Sequence, residues 1–328
     1  ASYANIVVVN NRLAVIFYDA QALQLKIAVA NSPAPFAPAS AADWTIHAID
    51  PQSCAFHNNA TMHNGQLVVT YRVTSGSDLK VARAIVPVPT STADWNLHLA
   101  DTGTPAVGLY SAPMSYDDGS GARLVVVHRD STNQTIKYGK ANVVTPASAA
   151  DWTFHVADAP PGGVPGLYLR IKNFTVSGSP RVAFVGIDAS ATVPTYSVYT
   201  SNVSNPANTA DWTKVNLGTP PAGGGGSVFG GDVNVYNGKL VVVWTRVPAA
   251  NQWEAAMARA NVENPTSLAD WSISTVDSTI NQGIYYTGLF PYALVLPNND
   301  FVVAHRNMGP YVATGSAWRW ERRLCPLP

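Results

Sequence analysis

The chain has 328 residues and a formal net charge of zero, with charged residues at 12% against about 25% in an ordinary globular domain. With no basic excess and no lysine/arginine run to neutralise phosphates, nucleic-acid binding and attraction to an anionic membrane surface are disfavoured. No apolar stretch reaches the roughly 18 residues of a membrane-spanning helix, so membrane insertion is not expected.

Gly and Pro at 24 each, only three glutamates (Glu254, Glu263, Glu321) and a bias to Ala, Val, Thr, Ser and Asn favour turns and extended structure over helix. The first fifty residues read as a short strand, an apolar run Leu13-Ala-Val-Ile-Phe17 and a small-residue strand Lys26-Ile-Ala-Val-Ala-Asn31. A turn Pro38-Ala-Ser-Ala-Ala-Asp43-Trp44 comes next, then an alternating strand with Trp44, Ile46, Ala48 and Asp50 on one face. The unit then recurs. Apolar runs stand at Leu67–Tyr71, Leu124–His128, Val182–Val185, Leu240–Trp244 and Phe301–Ala304, and Ala-Asp-Trp returns with Trp95, Trp152, Trp212 and Trp271, at spacings of 51, 57, 60 and 59 residues. In the repeated turn the proline fixes φ, the Ser or Asn side chain can bond nearby amides, and the Asp can lock the loop before Trp starts a strand. His63-Asn64-Gly65 and Tyr236-Asn237-Gly238 mark two-residue hairpins between first and second strands.

Each unit is thus a four-stranded meander, and six apolar runs predict six of them. Such repeats form blades around a central channel, each burying its faces against its neighbours. The expectation is an all-β, six-bladed β-propeller of four-stranded antiparallel blades, a single domain over 1–328 with blades near 1–50, 51–101, 102–158, 159–218, 219–277 and 278–328. An aromatic marks the entry to each: Tyr3, Phe56, Tyr110, Tyr168, Phe229 and Tyr285. In the sixth, Ser316-Ala-Trp318-Arg-Trp320 replaces the Asp-Trp turn, as a closing blade can. Cys54 and Cys325 lie near opposite ends of the chain, where a disulfide would fasten the last segment to the second blade; two unrelated thiols are the alternative. The start, Ala-Ser-Tyr-Ala, fits an exported protein whose signal has been removed, giving a secreted, extracellular or periplasmic expectation.

The turn that ends in a strand-opening Trp resembles the Asp-box position of sialidase-like (BNR-repeat) six-bladed propellers, over five blades. The departures are plain: the family's box runs Ser-x-Asp-x-Gly-x-Thr-Trp, whereas here Asp directly precedes Trp and the glycine is missing. The resemblance implies the architecture. It also implies an arginine cluster for a substrate carboxylate, a Tyr nucleophile supported by Glu, and an Asp acid, but the family's arginine motif is absent from the first blade, and Leu169-Arg170-Ile171 is the nearest echo.

Sites on such folds gather where innermost strands begin and second strands end. Second-strand ends offer Asp19, Arg72, Arg129 with Asp130, Asp188, Arg246 and Arg306. First-strand starts offer Asn5, His57 with Asn58 and Asn59, Ser111, Arg170 with Lys172, Asp232, and Tyr286 with Tyr292. Arginines at four apparently equivalent places, in a chain so poor in charge, suit bidentate binding of a carboxylate, sulfate or phosphate; alternatively each pairs with an aspartate between blades. The expected ligand contacts are Arg72, Arg129, Arg170, Arg246, Arg306, His57, Asn58, Tyr110 and Tyr286, with the entry aromatics as sugar-stacking platforms or as packing between blades. Asp19, Asp188 and Asp232 are the acid/base candidates if the protein is a glycosidase. No metal or other cofactor is expected. His47, His98 and His155 are equivalent residues on the outer strands of different blades and so point away from one another; His63, His128 and His305 have no ligand spacing; Asp117-Asp118-Gly119 reads as a hairpin turn.

The leading expectation is an extracellular, non-catalytic propeller that recognises a glycan or an extracellular protein through its funnel face. The alternatives are a glycan-processing enzyme and a structural subunit of an extracellular assembly.

Overall fold

The computed structural model of the chain describes residues 2–34, 38–52, 57–73, 77–102, 106–160, 164–189, 194–218, 230–249, 252–278, 286–296, 299–308 and 318–324. Cys54 and Cys325 lie outside them, as do Phe56, Phe229 and Tyr285. The fold class is the expected one, an all-β six-bladed β-propeller, with five four-stranded antiparallel sheets and a sixth of three described strands. The chain forms two compact units, Ala1–Asp158 and Ala159–Pro328.

In the first unit, sheet one is β1 (Ser2–Val9), β2 (Arg12–Asp19), β3 (Gln24–Ala30) and β4 (Trp44–Asp50). Sheet two is β5 (Asn59–His63), β6 (Gln66–Arg72), β7 (Leu79–Ala84) and β8 (Trp95–Asp101), and sheet three is β9 (Leu109–Asp117), β10 (Ala122–Asp130), β11 (Thr135–Ala141) and β12 (Trp152–Asp158). In the second unit, sheet four is β13 (Leu167–Val176), β14 (Ser179–Asp188), β15 (Thr195–Ser201) and β16 (Trp212–Gly218). Sheet five is β17 (Gly231–Tyr236), β18 (Lys239–Ala249), β19 (Gln252–Ala260) and β20 (Trp271–Ser278), and sheet six is β21 (Tyr286–Val295), β22 (Phe301–Met308) and β23 (Trp318–Leu324). Strands within each sheet keep chain order. First strands of successive sheets meet within each unit: β1 with β5 and β5 with β9, β13 with β17 and β17 with β21.

The apolar runs became second strands, and their unbroken hydrophobicity has a cause. Val241, Val242 and Val243 are all fully buried, because the two faces of β18 pack against sheets four and six. Asn64-Gly65 and Asn237-Gly238 turn their hairpins with positive φ at both residues, the geometry that matches strand twist. Sheet six departs from expectation. Trp318 and Trp320 open a third strand, paired opposite Met308 and Arg306 of β22, instead of standing in for the turn before a fourth.

The five Asp-Trp turns share one mechanism. Each is a single 3-10 turn, as at Ala149–Asp151, in which the Asp carboxylate reaches back. Asp151 Oδ2 accepts from the Ala147 and Ser148 amides, at 2.9 Å each, and from Ser148 Oγ at 3.1 Å. These donations hold the carboxyl below the usual carboxylate range. A second clasp ties the end of the third strand to the start of the fourth: Thr45 Oγ1 donates to Asn31 Oδ1, Thr153 to Asn142, Thr213 to Asn202 and Ser272 to Asn261. In sheet two both partners change together, to Ile85 and Asn96, and only the backbone bond from Ile85 to Asp94 remains.

Sheets are joined through their fourth strands at two places. Trp95 Nε1 donates to His47 Nε2 on β4, and Trp152 Nε1 to His98 Nε2 on β8, both at 3.3 Å. The equivalent histidines are therefore acceptors between neighbouring sheets. At the corresponding place on β16 the chain has Val215, and the buried Trp271 indole N–H has no partner. The strand-end aspartates form the second joint. Asp50 accepts from Tyr71 Oη at 2.8 Å and Lys80 Nζ at 2.7 Å; Asp101 lies 3.2 Å from His128 Nε2 and 3.0 Å from Lys137 Nζ; Asp277 lies 3.3 Å from His305 Nε2. On β16 the equivalent residue is Gly218, and the space goes to Trp244, whose ring a Cβ at Gly218 would meet at 3.8 Å.

Both the turns and the joints can be tested by substitution. Asp151→Ala leaves two turn amides without their acceptor and lowers stability by about 0.5–2 kcal/mol in urea unfolding. Burial depresses His98 to about 4, so it binds its proton more readily in the unfolded chain, near pH 6.5. Its contribution is complete above pH 6.5 and is lost as pH falls towards 4. His98→Leu should flatten the pH dependence of stability in that window by up to about 1.4 kcal/mol per pH unit. It should also cost about 1–3 kcal/mol at pH 7, because Trp152 loses its acceptor.

Candidate functional site

Pairing between first and second strands gives every sheet the same frame. The fourth residue of each apolar run, Ile16, Thr70, Val127, Val185, Val243 or Ala304, stands opposite Asn5, Asn59, Ala112, Arg170, Asp232 or Tyr292 respectively. In the second unit this row therefore reads Arg170, Asp232, Tyr292 on three successive first strands. It is where the sheets differ most in chemistry.

The three side chains converge. Arg170 Nη2 donates to Tyr292 Oη, with the guanidinium carbon 5.3 Å from the centre of the Tyr292 ring. Asp232 accepts from its own strand at Val233 N, 2.9 Å, and from the neighbouring strand at Ala293 N, 3.1 Å. Burial pushes the Asp232 carboxyl above the usual range, against the pull of Arg170, those two amides and Lys172. Asp232 is thus a carboxyl that holds its proton longer than an exposed one, beside a fixed guanidinium and a half-exposed phenol. Acid catalysis uses such a group.

Tyr196 completes the cluster and was not legible from its own segment. It is fully buried on β15, stacks on Trp244 at 5.8 Å, and its hydroxyl has no hydrogen-bond partner. Burial and the Asp232 charge hold this phenol well above its ordinary pKa. A signal existed in the repeat: by strand pairing, the residues in this place on the other third strands are Leu25, Leu79, Ile136, Ala255 and Trp320, so the tyrosine, like the Trp of sheet six, breaks an otherwise aliphatic series.

In the first unit the structure gathers a second set. Arg72, His57, Tyr110 and Arg129 form a row: Arg72 acts on the His57 charge, the His57 and Tyr110 rings lie 3.7 Å apart, and Tyr110 acts on the Arg129 charge. Arg72 also donates to Ser77 Oγ at 2.7 Å, while the Nε atoms of Arg72 and Arg129 are buried without partners. Burial, with the Arg72 charge adding to it, lowers His57 to about 4, so the ring is neutral near pH 7. Asn5 Nδ2 donates to Asn58 Oδ1 at 2.9 Å and to Asn58 O at 2.8 Å. His57 and Tyr110, like Tyr168 in sheet four, take positive φ, as does Gly230 before β17, which identifies His57, not Phe56, as the counterpart of Tyr110.

The remaining candidates are held elsewhere. Asp19 is paired with Lys26 at 2.7 Å and caps its turn through the Ala22 and Gln21 amides; together these hold it to about 2. Asp188 is paired with Lys214 at 2.8 Å. Arg246 is not equivalent to Arg72 and Arg129: it lies three residues beyond the common frame residue rather than two, on the opposite face of its strand, and forms an ion pair with buried Glu254. Arg306 and Tyr286 are on β22 and β21, with side chains outside the described residues.

No protein-family model matches the chain, and no curated protein matches it in sequence. Among solved structures, it is similar to an endo-arabinase from Bacteroides thetaiotaomicron VPI-5482, at 9% identity, with 99% of this chain and 94% of that one covered and a TM-score of 0.43. A second is the α-L-arabinanase of Penicillium chrysogenum complexed with arabinobiose, at 14% identity, 82% and 81% coverage and a TM-score of 0.49. A third is the fucose-recognising six-bladed lectin of Aleuria aurantia, at 11% identity, 82% and 77% coverage and a TM-score of 0.45. Family-43 glycoside hydrolases and a galactanase are also among the similar structures. Most of these similar structures are glycoside hydrolases, which stands against the expectation of a non-catalytic recognition module. The similarity is one of fold.

A carboxyl whose folded pKa is raised stabilises the protein fully below its unfolded pKa of about 3.8 and loses that contribution as pH rises through the folded value. Asp232→Asn, which cannot ionise, should therefore melt at a higher temperature than wild type at pH 7. The difference should disappear below pH 3.8, as read by calorimetry across that range.

Proposed function

We propose that the protein is a glycan-processing enzyme, a glycoside hydrolase, with Asp232 as its acid. The observation that carries this reading is a carboxyl, hydrogen-bonded by the Val233 and Ala293 amides and raised in pKa by burial, at the same place in the frame as Arg170 and Tyr292, where an arginine and an aromatic ring suit a sugar's hydroxyls and its apolar face. Asp232 delivers its proton to the glycosidic oxygen as the bond from that oxygen to the anomeric carbon breaks, with the electron pair leaving on the oxygen. Water adds to the anomeric carbon and returns one proton to the carboxylate, so Asp232 ends as it began. Arg170 and Tyr292 hold the sugar, and Arg170 limits how high the Asp232 pKa can rise.

The row Arg72, His57, Tyr110 and Arg129, with Asn58, we propose as sugar contacts that take an acidic or heavily hydroxylated group, since its buried guanidinium Nε donors lack partners. The ligand is a glycan, and the location we propose is extracellular or periplasmic. The finer kinship with sialidases stays at the level of the turn, because the acid here comes without that family's arginine motif.

The test is the dependence on leaving group. On aryl glycosides with poor leaving groups Asp232→Ala should lose about 100-fold or more in kcat/KM, while a dinitrophenyl glycoside, which needs no proton, should be cleaved within several-fold of the wild-type rate. Equal loss on both, or no loss on either, removes Asp232 as the acid.

A further inference from the structure

The buried hydroxyl of Tyr196 is a polar atom to which neither the fold nor the proton transfer gives a role. Its ring is fully buried against Trp244, and its oxygen has no partner, in a setting where an unpaired hydroxyl is costly. Leucine or isoleucine at that place in three other sheets shows that the architecture is content with an aliphatic residue. The oxygen also occupies space that the backbone leaves for it. A Cβ on Gly231 would stand 2.1 Å from the hydroxyl oxygen and 2.5 Å from the Val243 carbonyl oxygen of the paired strand, so both contacts keep the residue directly before Asp232 without a side chain. Tyr196 thus comes up beneath the start of β17, within electrostatic reach of both Asp232 and Arg170.

Resting on the reading of Asp232 as the acid, we propose that Tyr196 is a positioning residue, whose hydroxyl donates to the Asp232 carboxylate in the state reached after proton transfer. While Asp232 is protonated the hydroxyl has nothing to gain from it beyond a weak neutral bond. Once the proton has gone to the glycosidic oxygen, the carboxylate is an anion, and a fixed O–H donor beside it becomes a charge-assisted bond. The donor acts where charge develops and is silent before it does, which makes its stabilisation specific to the transition state. No atom of Tyr196 is transferred: its proton stays on the phenol oxygen, whose pKa burial keeps high.

Two variants and two readouts test this. Tyr196→Phe removes only the oxygen, and Tyr196→Leu brings in the residue type found there in three other sheets and should fold well. Both should lower kcat about 10-fold with KM within twofold, and both should raise the Asp232 pKa, read directly by carbon-13 NMR of labelled aspartate carboxyls in the full chain without substrate. An unchanged Asp232 pKa in Tyr196→Phe and Tyr196→Leu overturns the proposal. The titration needs no turnover. If the pKa moves but Asp232→Ala leaves the leaving-group profile untouched, the positioning bond stands and the acid assignment fails; if that profile changes and the pKa does not move, the reverse holds.

Discussion

The constraint on which the other features depend is that each fourth strand must be polar enough to meet solvent and still bind the next sheet. On β4 and β8 the chain meets it at two places, three residues after the Trp and at the terminal Asp, and on β20 at the terminal Asp alone. At the first, a histidine accepts the indole N–H of the adjoining sheet; at the second, a carboxylate collects a tyrosine or histidine from the next second strand and, in the first unit, a lysine from the next third strand. Both acceptors lie between sheets where water is scarce, so their bonds are directional and their loss is costly. Asp101 illustrates the balance: burial works to raise it, and His128 and Lys137 together bring it below the usual carboxylate range.

This cement explains where chemical variety is tolerated. Fourth strands and their turns are committed to joining sheets, and second strands are buried on both faces. That leaves the first strand, which meets its counterparts along the inner edge of each unit. Here one place in the frame carries Asn5, Asn59 and Ala112 in one unit and Arg170, Asp232 and Tyr292 in the other. A repeat whose joints are fixed elsewhere can change this row without losing its fold. Sheets four and five also show that the cement itself can be exchanged: Val215 and Gly218 replace both anchors on β16, and Trp244 fills the room with apolar area instead.

How much of this was legible depends on whether a feature is periodic. The sheets, the hairpins at Asn64-Gly65 and Asn237-Gly238, the Asp lock and the interior role of the histidines all repeat, and repetition in a one-dimensional string is visible. Register is not. Arg246 looked equivalent to Arg72 and Arg129 because each comes after an apolar run, yet a single residue of offset turns a side chain to the other face of a strand. Only pairing with β17 and β19 reveals it. Tyr196 was hidden for the same reason: its meaning lies in replacing Leu25, Leu79 and Ile136, an equivalence that needs the β14–β15 ladder. Trp318 and Trp320 misled in the opposite way, since a Trp-rich segment matched the turn motif by composition but pairs as a strand. Asp19 and Asp188 were drawn into the acid/base set by position alone, and each has a lysine that the sequence does not put beside it.

One irregularity of the backbone links the frame to the chemistry. Tyr110 and Tyr168 take positive φ, and there the pairing of first and second strand slips: between Val127 and Arg129 in sheet three, and between Leu167 and Arg170 in sheet four. A non-glycine residue in that region costs of order 1 kcal/mol, and such a cost persists only where surrounding contacts fix it. A bulge bends its strand and re-aims the residues beyond it. In sheet four those residues are Leu169, fully buried, and Arg170, directed to Tyr292. Gly230 takes the same φ without that cost immediately before Gly231 and Asp232. The same positive φ thus stands two residues before both charged members of the site, once on a tyrosine and once on a glycine.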